Sequence, residues 1–244
     1  MAADGRRHVL AIGGLRVPES YGLGPTGAPW LLDYAVRLSG AKIPKICLIN
    51  TAMGDDHDSY LRGYQVLAGL PSQVTHLRLF PMPNTPSPAG LLLGQDVIFV
   101  GGGSVANQVA VWRVHGLDAI LRQAWEAGVV LSGVSAGALC WFAGGTTDSF
   151  GPELRPFTDG LGLLPGSFCP HYDSETRRRP LYQDLVGSGA VPPGVACDDG
   201  AAAHFIDGEL AEIVADRPEA KGYLVYPDGG GATERVLDTR LLTS

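Results

Sequence analysis

The chain predicts an α/β fold, a mostly parallel sheet with helices on both faces. Three observations carry this expectation. Short, nearly continuous apolar runs alternate with helix-length segments from Val9 to Gly145, the pattern of strands buried on both faces. Each of these runs is followed by glycine, proline or small polar residues, which end strands. Two glycine-dense turns, Gly101-Gly102-Gly103 and Gly133 to Gly137, both follow strands and so fall on one sheet edge, where open parallel sheets bind ligands.

In chain order, Val9-Leu10-Ala11-Ile12 ends at Gly13-Gly14 and leads to a helix around Pro29 to Leu38. Lys45-Ile46-Cys47-Leu48-Ile49 ends at Asn50-Thr51 and leads to a helix around Ser59 to Leu70. Val74 to Phe80 reads as a third strand, followed by a connection holding Pro81, Pro83, Pro86 and Pro88. Asp96 to Val100 is a fourth strand. A helical stretch from Val105 to about Ala127 follows, with a break near Gly116, and then the strand Val129-Val130-Leu131. Gly144 to Pro170 is rich in glycine and proline and reads as loops and short strands. Pro180 to Val186 reads as helix, Val195 to Leu210 and Gly222 to Tyr226 as late, partly antiparallel strands. No internal repeat or low-complexity linker divides residues 1–244, so one domain is expected.

The 244 residues are 45% hydrophobic and 18% charged, with a net charge of −7. An acidic chain whose longest like-charge block is Arg177-Arg178-Arg179 argues against nucleic acid or an anionic membrane as partner. No run approaches the ~18 apolar residues of a membrane-spanning helix. Met1 to His8 is polar and leads straight into a strand, so a secretory signal is not expected and a cytoplasmic location is. A homodimer is compatible with this composition. Cys47, Cys140, Cys169 and Cys197 are widely spaced, form no C-x-x-C and read as reduced core thiols. Asp55-Asp56-His57-Asp58 reads as a loop and helix N-cap, not as a metal site. Neither metal nor cofactor is expected.

Gly133-Val134-Ser135-Ala136-Gly137 lies between a strand and the helix-compatible Ala138 to Phe142. A strand that enters a helix through G-x-S-x-G is a nucleophile elbow, a strained turn that lifts the serine hydroxyl above the sheet edge. Its glycines are needed where a Cβ would crowd a neighbouring strand or helix. The helix start would aim N–H groups and its positive end at a developing oxyanion. Gly101-Gly102-Gly103-Ser104 lacks the lysine of a P-loop, and an oxyanion role fits it better. An N–H from Gly102 or Gly103 would pair with that of Ala136, each worth ~3 kcal/mol of transition-state stabilisation.

Serine needs a base within hydrogen-bonding reach. His171, in Phe168-Cys169-Pro170-His171-Tyr172-Asp173, falls at a plausible strand terminus on the active edge. His8, His76 and His204 read as strand-associated, His57 as part of the polar loop, and His115 as lying on or between helices. The base in turn needs a carboxylate, and the candidates are Asp148, Asp173, Asp198 and Asp199. Asp199 is favoured, with Asp198 pointing to the other side of the chain, but spacing does not settle the choice.

These features resemble the peptidase E (aspartyl dipeptidase) family of serine peptidases, relatives of cyanophycinase. The matching segments are Phe99 to Gly103, Gly133 to Ala138, Thr146-Thr147-Asp148, Gly160-Leu161-Gly162-Leu163 through Pro170-His171, and Asp198-Asp199-Gly200. The resemblance implies a flavodoxin-like sheet similar to class I glutamine amidotransferases. It also implies Ser135 as nucleophile, His171 as general base and an acid at Asp199, where the best-known members carry glutamate. Asp148 matches a supporting acidic position. Hydrolysis of short peptides through an acyl-enzyme follows, with a preference for N-terminal aspartate in the best-known members. Those members use an arginine that Glu175-Thr176-Arg177 resembles, in a loop that is several residues shorter here. An esterase with His204 as base, a serine–aspartate dyad using Asp199, and a non-catalytic module binding a small ligand are the competing readings.

Overall fold

In the computed structural model, which describes residues 2, 4–15 and 29–242, the predicted alternation builds a parallel core. Strands β1 (His8–Ile12), β2 (Lys45–Ile49), β3 (Gln73–Leu77), β4 (Val97–Val100) and β5 (Val130–Val134) lie side by side in the order β1-β5-β4-β2-β3. All four contacts between them are parallel. Met1 and Ala3, within the segment read as a non-signal N-terminus, lie outside the described residues.

Alternation along these strands sorts the core into two faces, because successive side chains point to opposite sides. Leu10, Ile12, Ile46, Leu48 and Val130 pack with Leu31, Leu32 and Ala35 of α1 (Trp30–Leu38) and with Tyr60 and Leu67 of α2 (His57–Leu67). Val9, Ala11, Cys47, Ile49, Ile98 and Leu131 face the other way. They meet Leu92 of α3 (Pro88–Leu93), Val109 and Trp112 of α4 (Val105–Val114) and Leu121 of α5 (Leu117–Glu126). The predicted break in the long helical stretch is Gly116, at φ +68°, a conformation that a side chain disfavours.

The predicted third strand ends early, at Leu77, for a hydrogen-bonding reason. The Arg78 N–H goes to Asn84 Oδ1, and those of Leu79 and Phe80 go to Asp55 Oδ2. Asp55 therefore serves the fold, and Asp56 caps α2 by accepting the Ser59 N–H at 3.0 Å. All four cysteines are buried free thiols.

The second half of the chain departs from a single sheet. It contains α6 (Ala136–Leu139), β6 (Gly144–Thr147), β7 (Arg155–Phe157), β8 (Ser167–Cys169), α7 (Arg178–Gly187), β9 (Gly194–Cys197), β10 (Ala201–Ile206), β11 (Glu209–Ala215), β12 (Gly222–Asp228), β13 (Gly231–Leu237) and β14 (Thr239–Leu241). Strand β10 pairs antiparallel with β1 and continues the first sheet through β11 to β14. The others form a separate mixed sheet, ordered β13-β12-β9-β8-β6-β7. The strands read from Val195 and at Gly222 to Tyr226 correspond to β9 and β12 of this sheet, while β6, β7 and β8, of three or four residues, are too short to display alternation or an apolar run. Tyr172, Tyr182, Leu185 and Val225 fill the space between it and α7. No helix among the described residues is long and apolar enough to cross a membrane.

One buried polar network spans β1, α1, β10 and β11. His8 Nδ1 meets His204 Nε2 at 2.9 Å, Tyr34 Oη meets His204 Nδ1 at 2.9 Å, and Tyr34 donates to Glu212 Oε1 at 2.7 Å. Hydrogen bonds from Arg240 pull the Glu212 carboxyl down from 4.5 to about 2, and burial lowers His204 from its usual 6.5. Both groups therefore bind fewer protons folded than unfolded, and stability must fall as pH drops. The decline starts as pH falls below about 6.5 and steepens between 4.5 and 2. Thermal unfolding followed across pH should show this, and Glu212→Gln should flatten the limb below pH 4.5.

Candidate active site

The elbow forms where β5 ends. A Cβ on Gly133 would collide with the Gly137 carbonyl, and one on Gly137 with the Val100 carbonyl of β4. Both glycines are thus demanded by close backbone approach. Ser135 sits at φ +55°, a conformation that costs a non-glycine residue about 1–3 kcal/mol. The surroundings hold it there: its N–H donates to the Ile12 carbonyl of β1 at 3.0 Å, and its own carbonyl accepts from Ala138 and Leu139. The helix after the serine has only four residues, Ala136–Leu139, shorter than the predicted one. So short a helix develops little macrodipole, and the individual N–H groups are what remain to hold an anion.

His171 follows β8 and Asp199 follows β9, two adjacent parallel strands of the second sheet. His171 also sits at positive φ, +54°. Two strained non-glycine residues meeting side chain to side chain is the signature of a site that its surroundings over-determine. His171 Nε2 lies 2.8 Å from Ser135 Oγ, and His171 Nδ1 lies 2.7 Å from Asp199 Oδ1. The Asp199 side chain is 13% exposed and that of His171 22%, so the chain of contacts runs from solvent inward. Gly14, at the end of β1, makes room for it. A Cβ there would overlap Asp199 Oδ1 and lie 2.8 Å from His171 Nδ1.

The other candidates fall elsewhere. His204 and His8 bond to each other within the first sheet, His76 Nδ1 meets Tyr64 Oη, His115 ends α4 and His57 opens α2. Asp198 is buried and turned away from the histidine, with Oδ2 accepting from the Lys221 N–H and the Tyr223 hydroxyl; burial raises its carboxyl. Asp173 accepts the backbone N–H of Asp199 at 2.8 Å. Burial also pushes Asp216, beside Gly200, up to about 6 against the opposing pull of Arg217.

Ser135 and His171 line a polar recess of about 290 Å³ together with Gly103, Ser104, Asp148, Ser149, Glu175 and Arg178. Gly102 packs directly against Ser135: a Cβ on it would lie 3.3 Å from Ser135 Cβ. Ala136 follows the serine and is buried. Arg177 does not line this recess among the described residues. It borders the next hollow with Asp148 and Glu175, and its Nη2 donates to the Pro152 carbonyl at 2.7 Å. The arginine facing the recess is its neighbour Arg178, which is 3% exposed. Arg178 is held by Glu175 at 2.7 and 3.3 Å and by the Thr146 carbonyl at 3.0 Å. Helix phase decides between the two: Arg178 opens α7, and only its side chain turns inward. A run of three arginines carries no sequence signal for that phase.

Sequence reasoning missed Gly14, Arg178 and Arg217. A Gly-Gly pair at a strand end was the available signal for the first. The other two sit in ordinary polar surroundings.

The model of "Peptidase family S51" matches residues 28–213. The "Uncharacterized peptidase YgaJ" of Bacillus subtilis (strain 168) is 44% identical over 193 residues, 79% of this chain and 83% of that protein. The "Peptidase E" of Shewanella denitrificans is 28% identical over 180 residues, covering 70% of this chain and 72% of its own. The crystal structure of a peptidase from an acI-B1 Actinobacterium superposes with a TM-score of 0.69 at 16% identity over 96% of both chains, a likeness of fold.

Proposed function

Since the chain belongs to peptidase family S51 and is a serine-type peptidase, we propose that it hydrolyses short peptides through a Ser135–His171–Asp199 triad. The observation that carries this reading is the unbroken pair of contacts, 2.8 Å from Ser135 to His171 and 2.7 Å from His171 to Asp199.

The mechanism is acyl transfer. His171 Nε2 takes the proton of Ser135 Oγ as the oxygen attacks the scissile carbonyl carbon. The carbonyl oxygen becomes an oxyanion held by the N–H of Ala136 and that of Gly102 or Gly103. His171 then returns the proton to the leaving amine as the C–N bond breaks and leaves an acyl-enzyme. Water, deprotonated by the same imidazole, attacks the ester carbonyl; the C–Oγ bond then breaks, and His171 returns the proton to Ser135 Oγ as the acid leaves. Asp199 holds the imidazole with Nδ1 protonated and faces the positive charge that forms on it. Gly14 leaves room for this contact, because a Cβ there would overlap the Asp199 carboxylate and crowd His171 Nδ1.

The order of β3, β2, β4 and β5 supports a flavodoxin-like sheet, with β1 in the place of a fifth strand. The lack of a linker supports one domain over residues 1–244. Support for N-terminal aspartate selectivity is thinner, since Arg177 is turned to Pro152 and Arg178 is already engaged by Glu175. An esterase relay through His204 finds no contact to draw on, and a serine–aspartate dyad would leave His171 idle between its two partners. Turnover of a dipeptide panel that includes N-terminal aspartate, compared with p-nitrophenyl esters, tests the reading. Peptide turnover that disappears in Ser135→Ala supports it, and ester turnover alone would replace it with an acyl hydrolase.

A further inference from the structure

A triad acid works only if its carboxylate is held still, and Asp199 is gripped by its peptide group as well as by its side chain. Its N–H donates to Asp173 Oδ1 at 2.8 Å. Its carbonyl accepts from Arg217 Nε at 2.8 Å. Arg217 Nη2 closes the ring by donating to Asp173 Oδ2 at 2.5 Å. Further on, the Gly200 N–H is tied to the Gly14 carbonyl at 2.9 Å. The Arg217 side chain is 11% exposed and that of Asp173 31%, so the ion pair is partly shielded from screening water.

We propose that the Asp173–Arg217 pair is a positioning device for the catalytic acid, clamping both polar groups of one residue's backbone. The proposal rests on the triad reading above. Its logic is reach. An aspartate has one methylene less than a glutamate with which to find the imidazole, so its position is set by where its backbone sits. Residues 173 and 217 come from different connections, after β8 and after β11. The pair therefore ties the histidine's loop, two residues past His171, to the segment presenting the acid. A guanidinium suits this task better than an ammonium, because its planar fork meets a carbonyl and a carboxylate at fixed angles. The side-chain bonds of Arg217 go to the Asp199 carbonyl and the Asp173 carboxylate, so its effect on Ser135 is expected to act by placing the acid.

The test reads the rate at which Ser135 is labelled by a fluorophosphonate, which needs no knowledge of the natural peptide. Arg217→Ala should slow labelling on the order of 10²-fold, the scale of an active-site group displaced by about 1 Å. Arg217→Lys should recover part of that loss, and Asp173→Asn, which keeps an acceptor for the Asp199 N–H, should lose about tenfold. The decisive comparison is the double variant. In an Asp199→Asn background, Arg217→Ala should change labelling by less than about twofold, because there is no carboxylate left to position. Unfolding temperatures measured alongside identify any variant that fails to fold; should Arg217→Ala fail, Arg217→Lys and Asp173→Asn carry the same comparison. Labelling within about twofold of the parent in the folded single variants, or the full loss repeated on Asp199→Asn, overturns the proposal. If Asp199→Asn itself labels at the parent rate, the failure lies with the triad, and the clamp falls with it.

Discussion

Ser135→Ala is expected to lower kcat for dipeptide hydrolysis by about 10⁴- to 10⁶-fold, the range over which serine nucleophiles contribute. The loss is that large because alanine removes the covalent route altogether. What remains is polarisation of the scissile carbonyl by Ala136 and the Gly102–Gly103 turn. KM should move little, since the hydroxyl forms only a small part of the recess. The fold should survive: a Cβ is already present at φ +55°, and alanine keeps the backbone bonds to Ile12, Ala138 and Leu139. Steady-state kinetics with unfolding temperature as the companion measurement check this. A fall of less than about tenfold would mean that the hydroxyl is not the nucleophile.

Asp199→Asn should cost about 10⁴-fold in kcat with the fold intact. The substitution is nearly isosteric, and the backbone clamp on residue 199 does not involve its carboxylate. Its cost is chemical. An amide NH₂ facing His171 Nδ1 stabilises the tautomer whose proton is on Nε2, and that nitrogen can then no longer accept from Ser135. The same variant leaves Gly14 uncrowded, so a stability change would be small. Equal losses for Asp148→Asn and Asp199→Asn would instead point to a shared electrostatic effect of the recess.

The elbow was legible because its requirements are local. Gly133 answers a collision with Gly137 inside the turn and Gly137 one with the Val100 carbonyl of β4, and both glycines fall within one five-residue stretch of the sequence. The five parallel strands were legible for a similar reason, since burial on both faces leaves apolar runs. Choosing His171 over His204 was legible only in part: one ends a strand and the other lies inside one, and the sequence shows this through flanking proline and alanines. The acid could not be chosen by spacing. Asp198 and Asp199 alternate across the chain, and which of them faces His171 depends on how β9 enters the second sheet. The orientation of Arg177 was hidden in a comparable way. The first turn of α7 turns Arg178 inward and leaves Arg177 on Pro152, a rotation of one residue that three consecutive arginines conceal.

The most direct test of the whole account is covalent. Wild-type protein and His171→Ala would each be treated with a fluorophosphonate, followed by peptide mapping of the adduct. The triad predicts a single adduct on Ser135 in the wild type, formed on the order of 10³-fold or more slowly without His171. An unlabelled Ser135, or one labelled equally fast in both proteins, would contradict it.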